Sequence, residues 1–370
     1  MKVVVVGAGN IGLAITAYLA NKQYDVTLFT QKEINKLKLN DVDAKKISVV
    51  KNYKVISNPL ESLQTADVIF CTYPAFLRKK FVEQYGSVIK KRCFLGFVPG
   101  YGGIEYNCTK LIQNGITIFG LQRVPYVARA YKEDESYIAG ILSKKNNLYV
   151  AAIPYVQTAT ITKIIEDLLD IPCKSLKEYL AITLAPSNPL LHITGLYGAF
   201  HNWKAGQNYT GSHNFYEVWN DETSEILFKY DSELQKVCNQ LDMFNLQEVV
   251  PLPIYYESDS PRKMTKKLKS IKAFEAVKLP LQKTAIGYVP DLNSRMFVED
   301  YPFGVCVIKD FAIMTNTSTP IVDLMLEFCE RMTGVKYFNN DNSYTNNIGA
   351  TGIPGIAGIN SQLKLNSFYH

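Results

Sequence analysis

The sequence predicts an α/β protein of two domains, a doubly wound parallel sheet followed by a mostly α-helical C-terminal domain. Three observations predict it. The chain opens on a β-branched run, Lys2–Val6, that passes directly into a glycine-rich turn and then a helical apolar face. Strand-like and helix-like segments alternate from there to Ile153. At 370 residues the chain is too long for one small core and suits two domains. Pro172 and the Lys174–Glu178 cluster place the boundary between residues 172 and 187, giving domains 1–183 and 184–370.

The first element is the most informative. Lys2–Val6 has the pattern of a strand buried on both faces, and Gly7-Ala8-Gly9-Asn10-Ile11-Gly12 follows at once. Leu13, Ala14, Ala17, Leu19 and Ala20 then give a helical apolar face. The glycines differ in role. Gly7 makes the tight turn, Gly9 lets backbone approach a pyrophosphate, and Gly12 lets helix and strand pack closely. Amides at the helix start, including those of Asn10 and Ile11, face the phosphates. A lone GxGxxG says little, but between a strand and a helix, with a second strand at Asp25–Thr30, it predicts a Rossmann dinucleotide site. A glycine-rich turn without a ligand is the plain alternative.

The end of the second strand bears on the cofactor. An NAD enzyme usually places Asp or Glu there for the ribose hydroxyls, whereas this chain has Thr30-Gln31-Lys32 and no carboxylate until Glu33. A hydroxyl, an amide and an ammonium suit a 2′-phosphate, which a carboxylate would repel. NADP is therefore expected, with NAD the alternative; a Lys32 that merely solvates a loop is the bland one.

Further strands are expected at Asp67–Tyr73, Arg92–Val98, Thr117–Leu121 and Leu148–Ile153. Loops at their carboxyl ends should rim the cofactor crevice, with Tyr73 or Pro74 against a cofactor ring or in ordinary loop packing. The polar stretch Asn339–Asn347 reads as a mobile loop.

Composition excludes several classes. Hydrophobic residues make up 47% and charged residues 20%, as in soluble globular proteins, and no apolar run reaches the roughly 18 residues of a membrane span. The apolar stretch from Val3 to Ala20 imitates a secretory signal, but glycines interrupt it and no plausible cleavage site follows. The +6 charge lies in Lys79–Lys80, Lys90–Arg92 and Arg262–Lys272, scattered without aromatic platforms, so no nucleic-acid partner is expected. Seven cysteines without CxxC spacing and four scattered histidines predict neither disulfides nor a metal site. Buried thiols in a reducing cytoplasm are expected.

In the second domain Asn188-Pro189-Leu190-Leu191-His192 opens a helix, with Pro189 in its first turn and Asn188 before it as cap. Four residues apart, Asn188 and His192 share one side of the helix mouth, where an imidazole could act on a carboxylate-bearing substrate. A satisfied core histidine is the bland reading. Downstream, Asn293 to Gly304 offers Arg295 and Asp300 ahead of Pro302-Phe303-Gly304. A guanidinium fork grips a carboxylate at two points, and an aspartate fixes a histidine's tautomer. A surface Arg–Asp pair at a helix start is the alternative.

The order GxGxxG, Asn-Pro-x-x-His, then Arg-x-x-x-x-Asp before Pro-Phe-Gly resembles the octopine/nopaline (opine) dehydrogenase family, from Met1 to about Tyr337. Ile193 stands where many relatives have proline, and Thr30-Gln31-Lys32 departs from NAD-using members. The resemblance implies that His192 is the catalytic acid/base and Asp300 its orienting partner, with Asn188 placing substrate and Arg295 holding a substrate carboxylate. It further implies reductive condensation of a 2-oxo acid with an amino acid or other amine through an imine. Small molecules would be the partners, with neither membrane nor nucleic acid involved, and a homodimer is compatible. A ketopantoate-reductase-like 2-oxo acid reductase, with Lys204 or Lys229 as catalytic lysine, and a non-catalytic NADP(H)-binding sensor are the rival readings.

Overall fold

The computed structural model describes residues 1–185 and 187–370. The chain divides into two compact units, one of residues 1–183 with 367–370 and one of residues 184–366. Ser367–His370 therefore count with the first unit rather than the second, where the sequence places them.

Twelve strands order the first unit: β1 (Lys2–Val6), β2 (Asp25–Phe29), β3 (Lys36–Asp41), β4 (Lys46–Val49), β5 (Tyr53–Ile56), β6 (Val68–Cys71), β7 (Phe94–Phe97), β8 (Thr117–Leu121), β9 (Tyr126–Glu133), β10 (Ser136–Lys144), β11 (Leu148–Ile153) and β12 (Cys173–Ser175). Eight form one sheet in the order β12-β11-β8-β7-β6-β1-β2-β5, parallel throughout except where β11 runs against β8. Val3 to Val6 of the central β1 are at most 2% exposed, as a strand covered on both faces requires. Burying each such valine contributes about 1.5–3 kcal/mol.

The other four strands form a second sheet, β4-β3-β10-β9, which packs β9 and β10 against the helix Asn10–Asn21. Asn10 joins the two layers, its Oδ1 accepting from the Ala130 amide at 2.9 Å. The end of this unit is fastened from inside. Thr183 and Tyr369 both donate hydroxyl hydrogen bonds to the buried Glu105, whose carboxyl burial pushes up to about 7. The chain's exit from the unit and its return are thus tied to one side chain.

The second unit is built on the helices Ser187–Phe200, Asp221–Gln240, Pro261–Ser270, Cys306–Met314 and Pro320–Thr333, with one small antiparallel pair, Leu281–Lys283 and Tyr288–Pro290. Caps fix two of these helices. Asn220 accepts from the Thr223 amide, and the Glu233 carboxylate accepts from the amides of Ile321 and Val322. The polar stretch 339–347, expected as a mobile loop, is pinned instead. Asn339 donates to the Ser343 carbonyl and the Tyr344 hydroxyl to Asp310, so its polar residues hold a tight turn.

Among the described residues no helix is long and apolar enough to cross a membrane.

Candidate active site

The glycine loop leaves β1 at Gly7, whose φ of +101° is a conformation side chains rarely adopt. Gly12 has no room for any side chain, since a Cβ there would lie 1.8 Å from the Gly7 carbonyl oxygen. Thr72 closes the turn from the next strand, its hydroxyl donating to the Val6 carbonyl at 2.9 Å. Gly9 faces open space: an added Cβ would meet nothing within 4 Å. The helix Asn10–Asn21 that follows has neither a side-chain cap nor an acidic residue in its first turn. Unscreened amides beside a backbone that can be closely approached fit a pyrophosphate. Tyr73 lies against the turn, its ring 3.0 Å from where a Gly7 Cβ would be, and Pro74 precedes the helix Ala75–Tyr85. The carboxamide oxygen of Asn10 is engaged with Ala130, so its contribution toward phosphate would come from its backbone.

At the end of β2, Thr30 is buried and its Oγ1 accepts from the Lys32 amide at 3.0 Å, which fixes the bend. Gln31 donates its amide to the Ser57 carbonyl. Lys32 reaches back to the glycine loop, its Nζ donating to the Ala8 carbonyl at 3.1 Å. The nearest acid, Glu33, accepts from Asn35. A cation thus sits against the glycine loop.

In the second unit His192 Nδ1 lies 2.7 Å from Asp300 Oδ2. The imidazole is 20% exposed and the carboxylate 5%, so the carboxylate is buried and the imidazole partly so. Burial pushes the Asp300 carboxyl up, against the pull of His192. An ionised carboxylate only accepts, so with Asp300 ionised the proton between the two would belong to Nδ1. The Phe215 ring stands edge-on to the imidazole, with centroids 5.9 Å apart.

The pair meets because two distant segments touch. Pro189, in the first turn of the helix Ser187–Phe200, abuts Gly304, where a Cβ would come within 2.3 Å of Pro189 Cβ. Gly304 lies in a single π-helical turn, Tyr301–Val305, directly after Asp300. The sequence expectation of Asn188 as cap is corrected: the helix already includes Ser187, so Asn188 lies exposed inside its first turn. Proline is tolerated there because first-turn amides have no helical acceptor.

Arg295 pairs with Glu299. Its Nε and Nη2 both donate to Glu299 Oε2. Sequence reasoning passed over Glu299, although its position four residues after Arg295 is the spacing at which helical side chains meet. The glycine-loop residues belong to the first unit, and Asn188, His192, Arg295 and Asp300 to the second. Among the described residues no group of His, Cys, Asp and Glu could hold a metal ion.

Residues 175–333 match the family model of the NAD/NADP octopine/nopaline dehydrogenase α-helical domain, a stretch that contains both His192 and Asp300. Two curated relatives extend the likeness along the chain. Opine dehydrogenase of Haliotis discus hannai is 24% identical over 97% of this chain and 96% of its own. Tauropine dehydrogenase of Arabella iricolor is 24% identical over 83% of this chain and 81% of its own. The chain is thus similar to opine dehydrogenases along most of its length. The opine dehydrogenase fold extends over both units. A solved octopine dehydrogenase with NADH and L-arginine superposes with a TM-score of 0.84, at 19% identity, covering 99% of this chain and 97% of that one. The first half also matches the ketopantoate reductase PanE/ApbA model, over residues 3–123. Binding of NAD(P) and oxidoreductase activity go with the family.

Proposed function

We propose that this protein is an NADPH-preferring opine dehydrogenase of the cytoplasm, which joins a 2-oxo acid to the amino group of an amino acid or other amine. The observation that carries the reading is the 2.7 Å contact between His192 Nδ1 and Asp300. In the proposed reaction, His192 Nε2 takes a proton from the substrate ammonium, freeing the amine to attack the oxo carbon. It then returns a proton to the carbinolamine hydroxyl, which leaves as water. NADPH, which the glycine loop and Lys32 would hold, would supply the hydride for the imine. Arg295 holds the carboxylate of the oxo acid, Asn188 helps place the substrate, and Asp300 steadies the imidazolium between the two proton transfers. Free cysteines support the cytoplasmic assignment.

The match of residues 3–123 to ketopantoate reductase favours a second reading, plain reduction of a 2-oxo acid. That chemistry would draw on a lysine in the second domain. Lys204 is exposed, and Lys229 is exposed and paired with Glu225 at 2.8 Å, so neither has the setting of a catalytic group. A non-catalytic sensor would have no use for an oriented imidazole.

The deciding assay crosses 2-oxo acids with amino acids and polyamines, using purified protein, NADPH and mass identification of products. Oxidation of NADPH should require both an oxo acid and an amine and yield a secondary amine. Amine-independent reduction to a 2-hydroxy acid as sole product would overturn the reading in favour of the reductase.

Cofactor choice has its own test. NADPH should bind more tightly than NADH, and Lys32→Asp should erase or reverse the preference, because an ammonium facing the 2′-phosphate becomes a like charge. Titration of both cofactors reads this; a wild-type preference for NADH would sink the assignment.

A further inference from the structure

We propose that Glu299 is a positioning residue, whose buried carboxylate orients the Arg295 guanidinium toward the carboxylate of the 2-oxo acid. This rests on the reading of Arg295 as carboxylate anchor. The exposure of the two partners first marks the pair as unusual. In Lys229–Glu225 and Lys263–Asp259, ion pairs of the same spacing, both partners are well exposed. Here the arginine side chain is 68% exposed and the carboxylate 3%. An exposed pair of this kind adds little stability, and burying one of its charges adds a desolvation cost. Stability is thus a poor reason for the arrangement, whereas aiming a surface cation is a good one.

Local geometry gives the aim. Nε and Nη2 both donate to Glu299 Oε2, which commits the side edge of the guanidinium and sets its plane. The end edge, shared by Nη1 and Nη2, points away from Glu299 and is the edge with which a guanidinium forks a carboxylate. Left to itself, a long exposed arginine would lose rotamer freedom on binding; one already oriented loses less.

Backbone and packing hold Glu299 in turn. Its amide donates to the Arg295 carbonyl at 3.0 Å, closing one helical turn, and Phe297 between them is 1% exposed. The next residue, Asp300, turns to His192. Of two consecutive buried carboxylates, one thus reaches Arg295 and the other His192.

The test is a kinetic double-mutant cycle with pyruvate as the varied oxo acid, at saturating NADPH and an amine accepted in the assay above. Glu299→Gln should raise the KM for pyruvate about tenfold, as loss of a charge-assisted contact implies, with kcat and the KM for NADPH little changed. Arg295→Ala should raise it at least as much, and adding Glu299→Gln to Arg295→Ala should cost nothing further. The inference is overturned if Arg295→Ala raises the KM while Glu299→Gln does not, or if the two losses multiply. If Arg295→Ala itself leaves the KM unchanged, the anchor reading fails, and the inference with it. Should Glu299→Gln not bind NADPH, Glu299→Asp decides by the same cycle, since it keeps the charge but draws it back by one methylene.

Discussion

Replacing His192 with alanine should lower kcat by roughly 10²–10⁴ while leaving NADPH affinity unchanged, the range expected when a general acid–base is removed. The glycine loop lies in the first unit and His192 in the second, so the substitution changes no residue of that loop. Asp300→Asn should cost less. An asparagine can still hold the imidazole, but it supplies no charge to balance the imidazolium and its NH₂ can favour the wrong tautomer. Steady-state kinetics on an identified oxo acid and amine, with a parallel cofactor titration, checks both. Wild-type turnover in His192→Ala would make the residue a core histidine braced by Asp300 and Phe215, and would remove the mechanism proposed above.

The nucleotide half was legible because its signals are local. A buried parallel strand is a continuous apolar run, and a dinucleotide turn needs glycines at set intervals; β1, β2, β6, β7, β8 and β11 all lie where such runs predict them. The second sheet was not: β3 and β4 are short or exposed and alternate polar with apolar residues, and β9 is mostly exposed beyond its first residues, patterns that also suit surface loops. In the helical half the His192–Asp300 pair was legible through the family resemblance, whereas the Arg295–Glu299 contact was not. From spacing alone a surface Arg295–Asp300 pair stood as the alternative reading. Arg295 faces Glu299 within one helical turn, and Asp300 begins a π-turn that aims it at His192. Such a change of helical period leaves no periodicity to read in so short a segment. Asn188 was misplaced for a similar reason: Pro189 marks a first turn but not which residue of it, and the helix includes Ser187.

Gly304→Ala should separate the two halves of the pair and reduce kcat by about 10² or more, although residue 304 carries no chemistry. An alanine Cβ would lie 2.3 Å from Pro189 Cβ and 2.5 Å from Pro189 Cγ, far inside van der Waals contact. Neither neighbour can yield by rotating a side chain, since the proline ring is fixed to its backbone. Relief must come from moving the Tyr301–Val305 turn away from the helix Ser187–Phe200, and His192 and Asp300 sit on these two segments. A hydrogen bond of 2.7 Å does not survive a shift of about an ångström, beyond which the interaction weakens steeply. Overpacking of this kind typically costs about 1–3 kcal/mol of stability, so the variant should fold with a lowered Tm and normal NADPH binding. Its kcat should approach that of Asp300→Asn. Adding Pro189→Gly removes both contacting atoms and should restore part of the turnover, despite the helical cost of glycine, about 1 kcal/mol. Unchanged kcat in Gly304→Ala would mean that the histidine–aspartate geometry is held by packing elsewhere, and that the Asn-Pro and Pro-Phe-Gly segments need not touch for catalysis.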